Sequence, residues 1–206
     1  MGFQERLSAL VNAVEAQLAA RPGVQTDWAV LTGPPGSGKS TLLEALGALG
    51  HRVQTEAARA IIEQALACGQ SLEDLTRDTR SLAMTILERN ELGLAQLPTR
   101  EHIVLDRSLG DVLAFAFVDG VDWQALVAPC SRFRFRIALL CESIPDARDA
   151  TTYHSPPEIA RLAVACERVY RALGAEVVRI PAIAGGRQAA VAERLALARD
   201  ALIKSG

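Results

Sequence analysis

The chain has 206 residues, a net charge of −2, a hydrophobic content of 50% and a charged content of 22%. A chain of this length and composition can bury a substantial core, so we expect one domain over residues 1–206. The near-neutral charge argues against nucleic acid or an anionic membrane as the main partner. No apolar run approaches the ~18 residues that a membrane span needs.

The first segment, residues 1–22, is charged and amphipathic and does not have the pattern of a signal peptide. Its apolar residues share one helical face: Phe3, Leu7, Leu10, Val11, Val14 and Leu18. This spacing predicts an extra helix packed on the core, with a membrane or partner anchor as the alternative. The four cysteines are widely spaced, which predicts burial as small hydrophobes and, with the missing signal, a cytoplasmic location.

Residues 33–41 read GPPGSGKST and fit the P-loop template G-x-x-x-x-G-K-[ST]. A short apolar run, 28–31, precedes them, and leucines at helical spacing follow. Glycines let consecutive N–H groups bind phosphate, Lys39 would reach the β- and γ-phosphates, and the Ser40 hydroxyl would bind Mg²⁺. The residues expected to bind ATP are Gly33, Pro34, Pro35, Gly36, Ser37, Gly38, Lys39, Ser40 and Thr41.

Strand and helix patterns alternate along the chain, which predicts an α/β fold: a five-stranded parallel sheet with helices on both faces. After the first strand, further strands are predicted at 51–55, 101–105, 136–141 and 176–180. Helices are predicted after the P-loop and at 56–67, 71–94, 110–118, 122–128, 157–173 and 188–204. We expect the second strand to lie beside the first.

Ligands of parallel sheets bind beyond the carboxyl ends of the strands, which selects further candidates by position. Asp106 would face Mg²⁺ and Arg107 would neutralise phosphate charge, with a helix cap and a surface arginine as the alternatives. Glu56 would accept the proton of an acceptor hydroxyl or orient the acceptor. The polar segment 143–157 could close as a lid and bring in Arg148, or be a plain solvated loop.

Three segments together, GPPGSGKST, VQTEAARAIIEQ and VLDRSLGDVLAF, resemble a family of small P-loop proteins labelled AAA-type ATPases. These proteins are similar to the kinase domain that phosphorylates nicotinamide riboside, and more distantly to thymidylate and deoxynucleoside kinases. The resemblance runs from about Asp27 to Ile183 and implies a nucleoside-kinase-like P-loop fold. It places the family's glutamate on Glu56 and its Asp-Arg pair on Asp106 and Arg107. The segment 145–149, PDARD, keeps part of the family's lid.

The favoured hypothesis is an ATP- and Mg²⁺-dependent kinase that phosphorylates a hydroxyl group of a small molecule. Its catalytic residues would be Lys39, Glu56, Asp106, Arg107 and Arg148, and its metal ligands Ser40 and Asp106. Asp111 is a weaker candidate for contacting the acceptor.

The rival hypothesis is an ATPase or nucleotide switch that acts on a protein partner, and a non-catalytic nucleotide-binding module is a third. A guanine-reading Asn-Lys-x-Asp motif is excluded, because the only lysines are Lys39 and Lys204. The expected partners are ATP and an unidentified hydroxyl acceptor, with a homodimer as a further option.

Overall fold

The computed structural model describes residues 2–55, 57–69, 71, 73–74, 77–144, 154–183 and 187–205, with the backbone alone at 57–59 and 187. The strands in these ranges are β1 (Val24–Gln25), β2 (Ala29–Thr32), β3 (Arg52–Gln54), β4 (Ile103–Asp106), β5 (Phe133–Arg134), β6 (Ile137–Cys141) and β7 (Glu176–Ile180). The helices are α1 (Phe3–Ala20), α2 (Lys39–Ala48), α3 (Ala57–Ala67), α4 (Thr79–Leu94), α5 (Leu109–Val118), α6 (Gln124–Cys130), α7 (Pro156–Ala172) and α8 (Arg187–Lys204).

Five strands form one parallel sheet in the order β3–β4–β2–β6–β7. Val30 of β2 is in register with Leu105 of β4 on one side and with Ala138 of β6 on the other. The strand that leads into the P-loop is therefore central. A separate parallel pair joins β1 to β5, and the sequence did not predict it because two-residue strands carry no periodicity.

Helices cover both faces of the sheet, as the apolar central strands require. Successive residues of a strand face opposite sides: Val30 belongs to a larger core cluster, and Ala29 and Leu31 to a smaller one. The larger cluster includes residues of α1 and α4–α7, and the smaller one residues of α2 and α8. None of the described helices is both long enough and apolar enough to cross a membrane.

The predicted order of the first two strands is wrong, since β4 lies between β2 and β3. The burial of the strands gives the reason. Every residue of β4 is buried, whereas Arg52 and Gln54 of β3 are exposed. The more apolar strand occupies an interior position where both of its edges are paired, and the polar strand takes the edge.

The helix predicted over 71–94 is also wrong at its start. Its main part, α4, begins at Thr79 because the Asp78 carboxylate caps it, accepting a hydrogen bond of 2.9 Å from the Ser81 N–H. Farther upstream, the Ser71 hydroxyl donates to Asp74 Oδ2 at 2.6 Å, and residues 77–78 form a turn just before α4 begins. The turn at 77–78 and the Asp78 cap therefore interrupt a segment that the apolar spacing predicted to be one helix.

Candidate functional site

The P-loop, residues 33–41, connects the carboxyl end of β2 to the first turn of α2. Gly33, Gly36 and Gly38 have φ angles of 126°, 69° and 71°, a region that residues with side chains rarely adopt. A Cβ atom at Gly33 would also collide with the carbonyl oxygen of Cys141. The backbone path thus requires the glycines of the motif, and the loop leads into the N-terminus of α2, the end of a helix that favours negative charge.

Lys39 is the first residue of α2, and its side chain lies against the P-loop. The Nζ atom donates hydrogen bonds to the carbonyl oxygens of Gly33 at 3.1 Å and Pro34 at 2.8 Å, and to the Ser37 hydroxyl at 3.0 Å. Only 6% of the residue is exposed. The fold therefore keeps a buried ammonium group at this loop, and a charge in such a weakly polar environment attracts an anion more strongly than a charge in water does.

Asp106 and Arg107 lie at the carboxyl end of β4, beside the strand that leads into the P-loop. Asp106 is buried and is in register with Leu31 of β2. The backbone N–H of Arg107 donates to the Leu31 carbonyl oxygen at 2.9 Å, and its Nη1 atom donates to the Gly33 carbonyl oxygen at 2.9 Å. The structure thus brings the predicted Asp-Arg pair to the same loop as Lys39.

Arg107 has a φ angle of 59°, and no other described residue except glycine has a positive φ. Such a backbone costs on the order of 1 kcal/mol and persists where its surroundings fix it, often at functional sites. The guanidinium group is fixed here from two sides. Its carbon lies 4.7 Å from the centre of the Phe115 ring, and Nη1 lies 3.3 Å from Asp111 Oδ1.

Asp111 is not a solvated carboxylate, because only 3% of the residue is exposed, and its suggested contact with an acceptor stays a prediction. Its Oδ1 atom accepts a hydrogen bond from the Thr32 hydroxyl at 2.8 Å. Its Oδ2 atom accepts from the Tyr170 hydroxyl at 2.6 Å and from the Ser108 N–H at 3.0 Å. The carboxylate therefore ties the end of β2, the start of α5 and the helix α7 to Arg107.

Burial raises the pKa values of two further groups that contact this carboxylate, the Tyr170 hydroxyl and the Cys166 thiol. Burial first, and then the charge of Asp111, raises the pKa of the Tyr170 hydroxyl well above its usual value. The same two causes raise the pKa of the Cys166 thiol to about 12. Tyr170 therefore remains a hydrogen-bond donor to Asp111 throughout the physiological pH range.

The residues expected to hold Mg²⁺, Ser40 and Asp106, stand in the first turn of α2 and at the end of β4. Among the described residues, no three His, Cys, Asp or Glu side chains converge on a common point. A metal ion at this place would take one hydroxyl and one carboxylate oxygen from the chain and its other ligands from phosphate and water. Magnesium is bound in that manner at phosphate sites, so the donor set fits the ion.

Two predicted catalytic residues, Glu56 and Arg148, lie outside the described residues, and their roles stay predictions. Most of the predicted lid, 143–157, lies outside them as well. Its first residues are described, and there the N–H of Ile144 donates to the Gly36 carbonyl oxygen at 3.2 Å. The beginning of this segment is therefore attached to the P-loop.

Arg194 of α8 contacts the P-loop although the sequence did not identify it as a candidate. Its Nη2 atom donates to the Ser37 carbonyl oxygen at 2.8 Å, and only 4% of the residue is exposed. One sequence signal could have revealed it. Arg194 shares a helical stripe with Ala198, Ala201 and Leu202, which belong to the smaller core cluster, and a charged residue in an apolar stripe indicates a buried partner.

His154, to which the sequence assigned no role, packs beside the same site. Its Nε2 atom lies 2.7 Å from Asp119 Oδ1. Its ring meets the Phe115 ring edge-on, with centroids 5.5 Å apart. Phe115, which contacts Arg107, therefore also packs against His154, two residues before α7 begins.

Comparison with known proteins shows a family to which this chain is similar. A family model described as AAA domain matches residues 28–189. The deoxyadenosine kinase from M. mycoides with the products dCMP and a flexible dCDP bound is 18% identical, with a TM-score of 0.63 over 87% of this chain and 100% of that chain. The same kinase with bound dATP is 18% identical, with a TM-score of 0.61 over 86% of this chain and 99% of that one.

A second kind of protein shares the fold. The NadR protein in complex with NR is 16% identical, with a TM-score of 0.61 over 85% of this chain and 50% of that chain. No curated protein sequence matches this chain significantly. Identities this low show the fold alone: an α/β P-loop fold with a five-stranded parallel sheet flanked by helices, as the sequence predicted.

Proposed function

Because this chain belongs to the family described as AAA domain, we propose that it is a kinase that transfers the γ-phosphoryl group of ATP, bound with Mg²⁺, to a hydroxyl group of a small molecule. One observation carries the proposal. The buried residues Lys39 and Asp106 lie beyond the carboxyl ends of two adjacent strands, β2 and β4, beside a P-loop whose glycines have positive φ angles. Ligands bind at this position in parallel sheets.

The described residues support distinct steps of such a transfer. The N–H groups of the P-loop would bind the β- and γ-phosphates, and Lys39 would exchange its bonds to Gly33 and Pro34 for phosphate oxygens. Ser40 and Asp106 would hold the metal ion. When bound, Mg²⁺ withdraws charge from the phosphoryl group that is transferred. Arg107, fixed against Gly33, would offset further negative charge.

Two further roles depend on residues outside the described part of the chain. Glu56 would accept the proton of the acceptor hydroxyl or orient that hydroxyl, and Arg148 would bring positive charge to the triphosphate. The fold shared with a deoxyadenosine kinase and with NadR makes nucleosides the first class of acceptor to test.

The test is ADP formation from Mg·ATP by the purified chain, alone and with pools of nucleosides, sugars and amino-alcohols. We expect one pool to accelerate ADP formation at least tenfold, and Lys39→Ala to reduce that rate at least 100-fold, as expected for a residue that binds the transferred group. Lys204→Ala is the matched control, because Lys204 is the chain's only other lysine and is exposed.

The outcomes separate the kinase from its rival. Phosphorylated product in one pool, lost in Lys39→Ala and kept in Lys204→Ala, supports the kinase. Steady ADP formation that depends on Lys39 and that no pool changes would contradict it and favour an ATPase or switch. The absence of any Lys39-dependent ADP formation would contradict both activities.

A further inference from the structure

The P-loop is held from its outer side by two elements that are distant in sequence. The N–H of Ile144, just after β6, donates to the Gly36 carbonyl oxygen at 3.2 Å. The Nη2 atom of Arg194, on α8, donates to the Ser37 carbonyl oxygen at 2.8 Å. Both residues also border the Cβ position of Gly38, at 2.9 Å from Ile144 Cδ1 and 2.7 Å from Arg194 Nη1. They therefore lie on the same side of the loop.

The planarity of the peptide bond gives these two contacts a consequence. In a trans peptide the C=O and the following N–H point in opposite directions, and the chain has no cis peptide among its described residues. A carbonyl of Ser37 held toward Arg194 therefore turns the N–H of Gly38 away from Arg194. In the same way, the contact of Gly36 with Ile144 turns the N–H of Ser37 inward. Consecutive N–H groups turned to one side form an anion-binding site.

Stability alone does not account for Arg194. Among the described residues its buried Nε atom has no hydrogen-bond partner, so the side chain leaves a desolvated donor unused, which costs free energy of folding. Its neighbours on the stripe, Ala198 and Ala201, are small and apolar. The charge of Arg194 acts on groups near the P-loop. Burial raises the pKa of the Cys141 thiol, and the charges of Arg194 and then Lys39 oppose that rise.

We propose that Arg194 is a positioning residue of the nucleotide site: it fixes the Ser37–Gly38 peptide so that the Gly38 N–H faces the phosphate groups of a nucleoside di- or triphosphate. This inference rests on the proposed function only in that the P-loop binds nucleotide. It makes the C-terminal helix α8 part of the phosphate-binding apparatus, although that helix does not carry the P-loop motif.

The experiment measures the Kd of Mg·ADP by titration calorimetry for the full chain and its variants. Arg194→Met removes the donor and the charge. We expect it to raise the Kd roughly tenfold or more, because that change corresponds to the loss of one charge-assisted hydrogen bond. Arg194→Lys keeps the charge but lacks the planar fork, so we expect partial rescue, to about threefold. Arg199→Met is the matched control, because Arg199 is exposed on the same helix, and its Kd should stay within about twofold of the parent's.

Thermal unfolding without nucleotide separates positioning from a general loss of stability. A merely structural Arg194 would lower the unfolding temperature of Arg194→Met and leave the Kd of its folded fraction unchanged, and a Kd within twofold of the parent's overturns the inference. If Arg194→Met does not fold, Arg194→Lys is judged by the same twofold limit. A parent chain that binds Mg·ADP but phosphorylates no acceptor would refute the kinase and leave this inference standing. A parent that binds no Mg·ADP would overturn both.

Discussion

Two arginines hold the two ends of the P-loop, and their surroundings differ. Arg107 donates to the carbonyl oxygen of Gly33, at the start of the loop, and Arg194 donates to that of Ser37, near the end of the part that precedes α2. Arg107 contacts a buried carboxylate and an aromatic ring, whereas Arg194 lies on an apolar stripe with its Nε atom unbonded among the described residues. The first end is therefore built as a polar network, whereas the second is held by one buried arginine side chain and one backbone hydrogen bond from Ile144.

This difference decides what each end contributes. The network around Arg107 joins β2, α5 and α7 through Asp111, so its loss affects the folded state as a whole. Arg194, a residue of α8, is joined to the loop by one hydrogen bond, so its loss affects the loop first. Substitutions around Arg107 should therefore mainly lower the free energy of unfolding. A substitution of Arg194 should mainly weaken phosphate binding.

The largest expected effect comes from breaking the network at its centre. Asp111→Asn preserves the shape but removes the negative charge 3.3 Å from Arg107 Nη1 and an acceptor from Tyr170 or Thr32. We expect the free energy of unfolding to fall by about 3 kcal/mol, the low end of the range for one partner of a buried ion pair, because Arg107 keeps its bond to Gly33. Urea unfolding at pH 7 measures it.

The control for this variant is Asp200→Asn, since Asp200 is exposed on α8 and exposed carboxylates contribute little to stability. A loss of less than about 1 kcal/mol in Asp111→Asn would show that the network adds no more than a surface pair would. The two ends of the loop would then not differ in the way described above.

The central strands and the P-loop could be predicted from the sequence, for reasons that differ between the two. The strands β2, β4 and β6 were predicted because uninterrupted apolar runs indicate strands buried on both faces. The P-loop followed from its motif, since the glycines are needed locally for positive φ angles.

Other features depend on contacts between distant parts of the chain, which no local pattern contains. The position of β4 between β2 and β3 is of this kind. So are the bonds of Asp111 to Tyr170, 59 residues away, and of Arg194 to Ser37, 157 residues away. A carboxylate and a guanidinium group read from sequence are expected at the surface, and only the packing of α7 and α8 shows that these two are buried.

The next expected effect is a pH dependence of the free energy of unfolding that comes from the Cys166 thiol, which contacts Asp111. The pKa of the Cys166 thiol, beside Asp111, is about 12, whereas a thiol in the unfolded chain has a pKa near 8.5. A raised pKa contributes stability that is complete below the unfolded value and is lost as pH rises toward the folded value. Above about pH 9 this thiol alone should lower the free energy of unfolding by about 1.4 kcal/mol per pH unit.

Urea unfolding between pH 7.5 and 10.5 measures this slope. The buried thiols of Cys130 and Cys141 also have raised pKa values, so the parent should lose stability steeply, and Cys166→Ala should lose it less steeply. Cys68→Ala is the control, because Cys68 is exposed, and it should keep the slope of the parent. Equal slopes in Cys166→Ala and the parent would contradict the buried, protonated state of this thiol in the network.

The smallest effect concerns whether the two ends of the P-loop act independently. Arg107 and Arg194 bond to different carbonyl groups and share none of the hydrogen-bond partners described above. Their contributions to binding Mg·ADP should therefore add, so that Kd changes in Arg107→Met and Arg194→Met multiply in the double variant to within about twofold, or ~0.5 kcal/mol. The pair Arg107→Met with Arg199→Met supplies the baseline. A coupling of tenfold or more would mean that the loop responds as one rigid unit, since fixing either end would then fix both.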